Sequence, residues 1–130
     1  MRYSLLVQGP PYSQQAAHSA LRFAKAVLAR GHTLESVFFY HDGVYNAARL
    51  AAPPQDEPHL VDAWRALHDE HGTQLQVCIA AALRRGLLDE REASRHGKTG
   101  HSVAPPFELT GLGQLIDLGL ASDRLVTFSP

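Results

Sequence analysis

The chain of 130 residues is poor in cysteine; it has one, Cys78. A lone thiol cannot close an internal disulfide, so no such framework supports the fold, and Cys78 is either packing or a working group. An excess of charge of one sign is also missing. Twelve Lys and Arg stand against 13 Asp and Glu, for a formal net charge of −1. The cations are scattered and lack interleaved aromatics, which excludes a phosphate-tracking stripe or a base-stacking platform, and direct nucleic-acid binding with them. Long apolar runs are absent too. Met1 to Gln8, stopped by Gly9-Pro10-Pro11, is too short and lacks the small-residue cleavage site of a signal sequence. Nothing approaches the roughly 18 apolar residues of a spanning helix. The expectation is a cytoplasmic protein without membrane contact. Neither an internal repeat nor a low-complexity tract occurs.

What the chain does have is an ordinary globular balance, 45% hydrophobic and 19% charged, enough for one domain over residues 1–130 with its own core. Strand and helix signals alternate along it. Tyr3 to Gln8 predicts a strand ended by Gly9-Pro10-Pro11, with Ser13 as N-cap of the helix that follows. In that helix Ala16, Ala17, Ala20, Leu21, Ala24, Val27 and Leu28 recur at helical spacing, and Arg30-Gly31 closes it. Thr33 to Tyr40 predicts a second strand, whose continuous apolar run Val37-Phe38-Phe39-Tyr40 suits a strand covered on both faces. A short helical turn over Val44 to Leu50 precedes the loop Ala52 to Pro58. His59 to His71, carrying Leu60, Ala63, Trp64 and Leu67, predicts a helix ended by Gly72. Thr73 to Val77 reads as strand three, Ile79 to Arg85 and Leu88 to His96 as short helices, and Gly97 to Pro106 as the least structured stretch. Phe107 to Leu109 makes a brief strand, Gly113 to Ala121 a helix and Arg124 to Phe128 the last strand. The sum is an open, mostly parallel α/β sheet of about five strands flanked by helices, with flavodoxin-like layering.

In such sheets sites gather where loops leave the carboxyl ends of the strands. Three candidates meet that condition: Gly9 to Ser13, His41 to Tyr45, and Cys78. A cysteine at a strand-to-helix junction can lie beside unpaired amides and the positive end of a helix dipole, which favour the nucleophilic thiolate. The apolar flank of Val77, Ile79 and Ala80 to Ala82 argues instead for an inert core cysteine. Residues alone leave both readings open.

Other candidates carry bland readings as well. His68 and His71 stand three apart within His68-Asp69-Glu70-His71, without the His-Glu-x-x-His order of zinc peptidases; at a helix end they serve more simply as C-terminal cations. His41 and Asp42 could assist a thiolate or merely form a solvated turn. Arg84 and Arg85 fall at the far end of their short helix from Cys78, facing solvent or a partner. Gly9-Pro10-Pro11-Tyr12 lacks the glycines of a dinucleotide fingerprint and the Gly-Lys-Ser/Thr of a P-loop. Trp64 belongs to the core or a subunit interface. The segment Val44 to Ala52 is more apolar than so small a surface needs, and predicts association.

Several stretches carry a family likeness: Gly9-Pro10-Pro11-Tyr12 followed by Gln15-Ala16, Val37-Phe38-Phe39-Tyr40, Gly43-Val44-Tyr45-Asn46-Ala47, Val77-Cys78-Ile79-Ala80-Ala81-Ala82-Leu83-Arg84-Arg85-Gly86, and Leu109-Thr110-Gly111-Leu112-Gly113. In order from Arg2 to Phe128 they resemble the TusD/DsrE branch of the DsrE-like sulfur-relay family, the cysteine segment most specifically. The resemblance implies a sulfurtransferase whose Cys78 carries a persulfide. Sulfur would come from a TusA-like donor and pass to a TusE/DsrC-like acceptor, within a heterohexamer with TusB-like and TusC-like sister subunits. Its destination would be the 2-thio group of the tRNA wobble uridine or, in the DsrE branch, dissimilatory sulfur oxidation. Sulfur exchange between thiols needs one reachable cysteine and neither metal nor organic cofactor, and the lack of a second cysteine removes a resolving thiol that would discharge a persulfide. A non-catalytic scaffold subunit of the same complex is the alternative, and a nucleotide-binding flavodoxin-like module a third.

Overall fold

The apolar patterns become five strands and the helices between them in the computed structural model, which describes all 130 residues. In chain order these are β1 (Arg2–Val7), α1 (Ala16–Ala29), β2 (Thr33–Phe39), a 3₁₀ helix (His41–Ala47), α2 (Leu60–His71), β3 (Gln74–Cys78), α3 (Ile79–Arg84), α4 (Glu90–Arg95), β4 (Phe107–Thr110), α5 (Gly113–Ala121) and β5 (Arg124–Phe128). All pairings are parallel and the strand order is β4-β3-β2-β1-β5. The chain therefore steps outward from β1 to β4 and then jumps back to β5. Right-handed crossovers place α1 to α4 on one face, and the reversal places α5 alone on the other.

Side chains alternate across each strand, and the register shows which face each one meets. Leu5, Val37, Leu75 and Phe107 lie level with one another, as do Val7, Phe39, Val77 and Leu109. These face α1 and α2. Phe39 meets Trp64 of α2 edge-on at 5.3 Å and tilts against Phe107 at 6.0 Å, while Tyr3 meets Phe23 of α1 at 5.9 Å. The opposite face carries Ser4, Leu6, Ser36, Phe38, Gln76 and Cys78. Buried hydroxyls there find partners: Ser4 Oγ lies 2.6 Å from Ser122 Oγ, and Ser36 Oγ donates to Gln74 O and Gln76 Oε1 at 3.1 and 3.4 Å.

Two expectations need correction. Ser13 does not cap α1; the chain turns through Pro11 to Gln15, and Gln15, already helical at φ −82°, ψ −16°, precedes the helix without a side-chain cap bond. The turn expected over Val44 to Leu50 begins earlier, as the 3₁₀ helix, and its Val44 and Ala47 are wholly buried. In the segment Val44–Ala52, from which association is expected, Tyr45 (37% exposed) and Leu50 (68%) remain at the surface. Further exposed apolar surface sits at Leu112 (45% exposed), Ile116 (67%), Leu120 (82%) and Leu125 (39%), on α5 and the neighbouring β5. As expected, Gly97 to Pro106 forms neither helix nor strand, though its part from His101 to Val103 is held in place. Val103 is fully buried, the N–H groups of Ser102 and Val103 both donate to Leu88 O, and Arg49 donates to His101 O and Ser102 O. No helix is long and apolar enough to cross a membrane.

Candidate functional site

The loops after β1, β2 and β3 converge at the carboxyl edge of the sheet, as expected from adjacent parallel strands. Gly43 makes the approach possible: a Cβ there would stand 2.1 Å from Val7 O, so no other residue fits against the end of β1. Asn46, fully buried, ties the loops together. Its Nδ2 donates to Gly9 O at 3.1 Å and to Gly43 O at 2.9 Å, and its Oδ1 accepts from Trp64 Nε1 at 3.1 Å. One amide thus joins the first loop, the 3₁₀ helix and α2. Tyr12 adds a tether, its hydroxyl donating to Pro58 O and accepting from Leu60 N–H. Asn46 was passed over as a functional residue in the sequence; a lone Asn beside an apolar residue in a turn carried the only signal.

Cys78 ends β3 and occupies the N-cap position of α3, with extended backbone (φ −61°, ψ 116°). It lies level with Thr110 of β4. On the other side Tyr40 prolongs β2 in extended conformation and donates its N–H to Val7 O at 3.0 Å, so the pairing of Phe39 with Val77 carries Tyr40 level with Cys78. Alternation points the thiol to the α5 face. There it is 2% exposed. Tyr40 also stacks on His41 (4.0 Å, 23°), which adopts the left-handed φ of +49° that a non-glycine residue rarely holds.

The remaining candidates fall into place around this edge. Asp42 binds Arg85, Nε to Oδ1 at 2.9 Å, and the same guanidinium donates to Ala81 O, so Arg85 clips α3 to the 3₁₀ helix instead of facing solvent freely. Arg84 takes no part in that clip. An open cleft of about 450 Å³ is lined by Pro10, Pro11, Tyr12, Ser13, Asp42 and Tyr45, without Cys78. His68 and His71 lie at the amino-terminal edge; His68 Nδ1 donates to Thr73 O at 3.0 Å, and His71 lies 3.8 Å from Glu70. They share no site with Cys78. Trp64 is core.

The arrangement is that of an α/β protein with a single cysteine at the carboxyl end of a central strand, a placement suited to nucleophilic chemistry. Comparison with known proteins agrees. Residues 1–128 match the DsrE/DsrF-like family. The chain is 56% identical to sulfurtransferase TusD of Cronobacter sakazakii and 54% identical to that of Klebsiella pneumoniae, each over 98% of this chain and 100% of the relative. It is 48% identical to the putative sulfurtransferase DsrE of Allochromatium vinosum, over 98% of each. The crystal structure of the ychN protein from E. coli has the same fold, with a TM-score of 0.77 at 20% identity over 98% of this chain and 100% of that one. The chain belongs to the DsrE/DsrF-like family, and within it to the sulfurtransferases.

Proposed function

We propose that the protein is a sulfur-relay subunit in which Cys78 carries sulfane sulfur as a persulfide. The observation that carries this reading is the position of the only cysteine, at the carboxyl end of β3 where three loops converge, in a chain otherwise akin to named sulfurtransferases. In the loading step the Cys78 thiolate attacks the outer sulfur of a donor persulfide; a new S–S bond forms, the donor's S–S bond breaks, and the donor leaves as a thiolate. Discharge reverses the roles, an acceptor thiolate taking the outer sulfur and Cys78 leaving as thiolate. No net oxidation occurs. The expected donor is TusA-like and the expected acceptor TusE/DsrC-like, with TusB-like and TusC-like sister subunits completing the complex. Higher identity to the two TusD proteins than to DsrE supports 2-thiouridine synthesis at the tRNA wobble position as the destination. Dissimilatory sulfur oxidation is the DsrE-type alternative.

One observation favours a second reading. The thiol is 2% exposed, as a scaffold subunit's inert cysteine would be. The test is intact mass after incubation with a persulfide donor. A sulfur-sized increment that is present in the wild type and absent in Cys78→Ser supports the carrier, whereas an unchanged mass leaves the scaffold. Native mass of the protein coexpressed with its sister subunits tests assembly, which a persistent monomer would contradict.

A further inference from the structure

We infer that a small recess at the Cys78 end of the sheet, with Glu92 in its wall, receives a cationic side chain, lysine or arginine, of the protein that exchanges sulfur with Cys78. The inference rests on the carrier reading above and names what that partner must present. The recess, of about 150 Å³, is lined by Ile79, Asp89, Arg91, Glu92, Arg95 and Leu109. Ile79 follows the cysteine in the chain, and Leu109 of β4 lies level with Val77, the residue before it. β4 is an edge strand, so a second protein can approach from this side.

Glu92 carries the argument. Its side chain is 7% exposed, yet its carboxylate accepts no hydrogen bond, and the cation it pairs with, Arg95 Nη1, stands off at 3.7 Å on a side chain that is 74% exposed. A buried carboxylate ordinarily holds charge-assisted bonds of about 2.7–2.9 Å, because going without them is costly. Local structure does not use the acid either. Asp89 caps α4 by accepting from the Glu92 N–H at 2.8 Å. Glu92 stands three residues on, where a capping-box carboxylate would return a bond to the Asp89 N–H, and that bond is not made. The oxygens are thus left for a visiting donor. The surroundings agree on its sign: Asp89, Arg91 and Leu109 also line an adjoining groove of about 360 Å³, to which Glu90 and Glu108 bring further carboxylates. Asp89, Glu90, Glu92 and Glu108 outnumber Arg91 and Arg95. The recess is smaller than the roughly 300–1,000 Å³ of a small-molecule site, and takes one side-chain tip.

The test uses the complete, isotope-labelled chain and two probes of equal shape, N-acetylarginine methylamide and its uncharged citrulline counterpart, followed by amide chemical shifts. The arginine probe is expected to shift Ile79, Glu92 and Leu109, with citrulline bound about tenfold more weakly or worse. Glu92→Gln keeps the shape and is expected to lose the same tenfold or so. Arg95→Ala removes the competing cation and is expected to tighten binding about threefold; an acid that served only to pair Arg95 would gain no ligand by its loss. Should Glu92→Gln not fold, the exposed Arg95→Ala still decides. Equal shifts from citrulline, shifts that survive Glu92→Gln, or shifts of these amides by inorganic phosphate instead would overturn the cation site. The partner is tested by loading Cys78 from peptides that carry a cysteine persulfide and one arginine across spacers of roughly one to five glycines, against citrulline versions. An anchored cation raises the effective concentration of the persulfide, so the best-spaced arginine peptide is expected to load about fivefold faster, an advantage lost in Glu92→Gln. If every pair loads at one rate, the anchor fails and the carrier stands; if the arginine probe binds but no peptide ever loads sulfur, the carrier fails and the cation site stands.

Discussion

At the scale of single residues, the site edge depends on two positions whose roles are structural and severe. Asn46 bonds three groups: the carbonyls of Gly9 and Gly43 and the indole N–H of Trp64. Asn46→Ala strands the Gly9 carbonyl and the Trp64 N–H away from water, and each buried unpaired group costs on the order of 1–3 kcal/mol. The expected loss is about 3 kcal/mol by urea denaturation; a loss below about 1 kcal/mol would mean that water replaces the amide. Gly43→Ala meets a harder obstacle, because its new Cβ would press on the Val7 carbonyl at 2.1 Å, and backbone cannot swing aside as a side chain can. Overpacking typically costs about 1–3 kcal/mol and occasionally more, and a main chain that must move puts this site at the upper end. The expected outcome is a protein that no longer unfolds cooperatively at room temperature, and a variant with wild-type melting behaviour would show that the loop and β1 part easily. Neither role was visible in Gly43-Val44-Tyr45-Asn46-Ala47, since both partners come from β1 and α2, far away in the chain.

Among elements, the six-residue α3 that follows Cys78 is fastened to the 3₁₀ helix by the Asp42–Arg85 pair, whose side chains are 59% and 24% exposed. Solvent screening keeps such a pair to about 0.5 kcal/mol or less. Arg85 also donates to Ala81 O within its own helix, so Arg85→Ala should cost more than Asp42→Ala. The two single variants and the double variant, compared in thermal unfolding, would yield a small coupling; a coupling above about 2 kcal/mol would make this clip a dominant tie of the site. Elements themselves were largely legible: every strand and helix forms within a few residues of its apolar pattern, because Gly31, Gly72 and Gly86, all at positive φ, stop the chain where the sequence says they should. The cap at Ser13 was not, since Pro10-Pro11-Tyr12 commits the chain to turns before helical amides appear. The position of Cys78 at the carboxyl end of β3 was legible, because Gly72 ends α2 and the run Thr73 to Val77 reads as a strand that stops there. Its burial was not.

For the molecule as a whole, the strand order fixes where a small ligand could have been bound. The direction of travel reverses between β1 and β5, and open α/β sheets bind nucleotides in the crevice at that switch point. Here the crevice is present but its loop is wrong for phosphate. A phosphate cradle is built of backbone N–H groups at the start of a helix, and in Gly9 to Ser13 two of the positions are Pro10 and Pro11, which have no N–H to give. The loop is further committed by Asn46 at Gly9 O and by Tyr12 at the start of α2, while Gln8 N–H is taken by Phe128 O at 2.9 Å across the switch point itself. Cys78 lies two strands away on β3, off the crevice that the topology offers. A flavodoxin-like nucleotide module therefore disagrees with the loop chemistry even though it agrees with the layering. Ligand binding to the folded state raises its stability by RT ln(1 + [L]/Kd). With FMN, ATP or NAD at about 1 mM, any site tighter than about 10 μM would add roughly 2.7 kcal/mol and lift the melting temperature by several degrees. The expected result for all three is a flat response, and a shift that grows with ligand concentration would return the crevice to use.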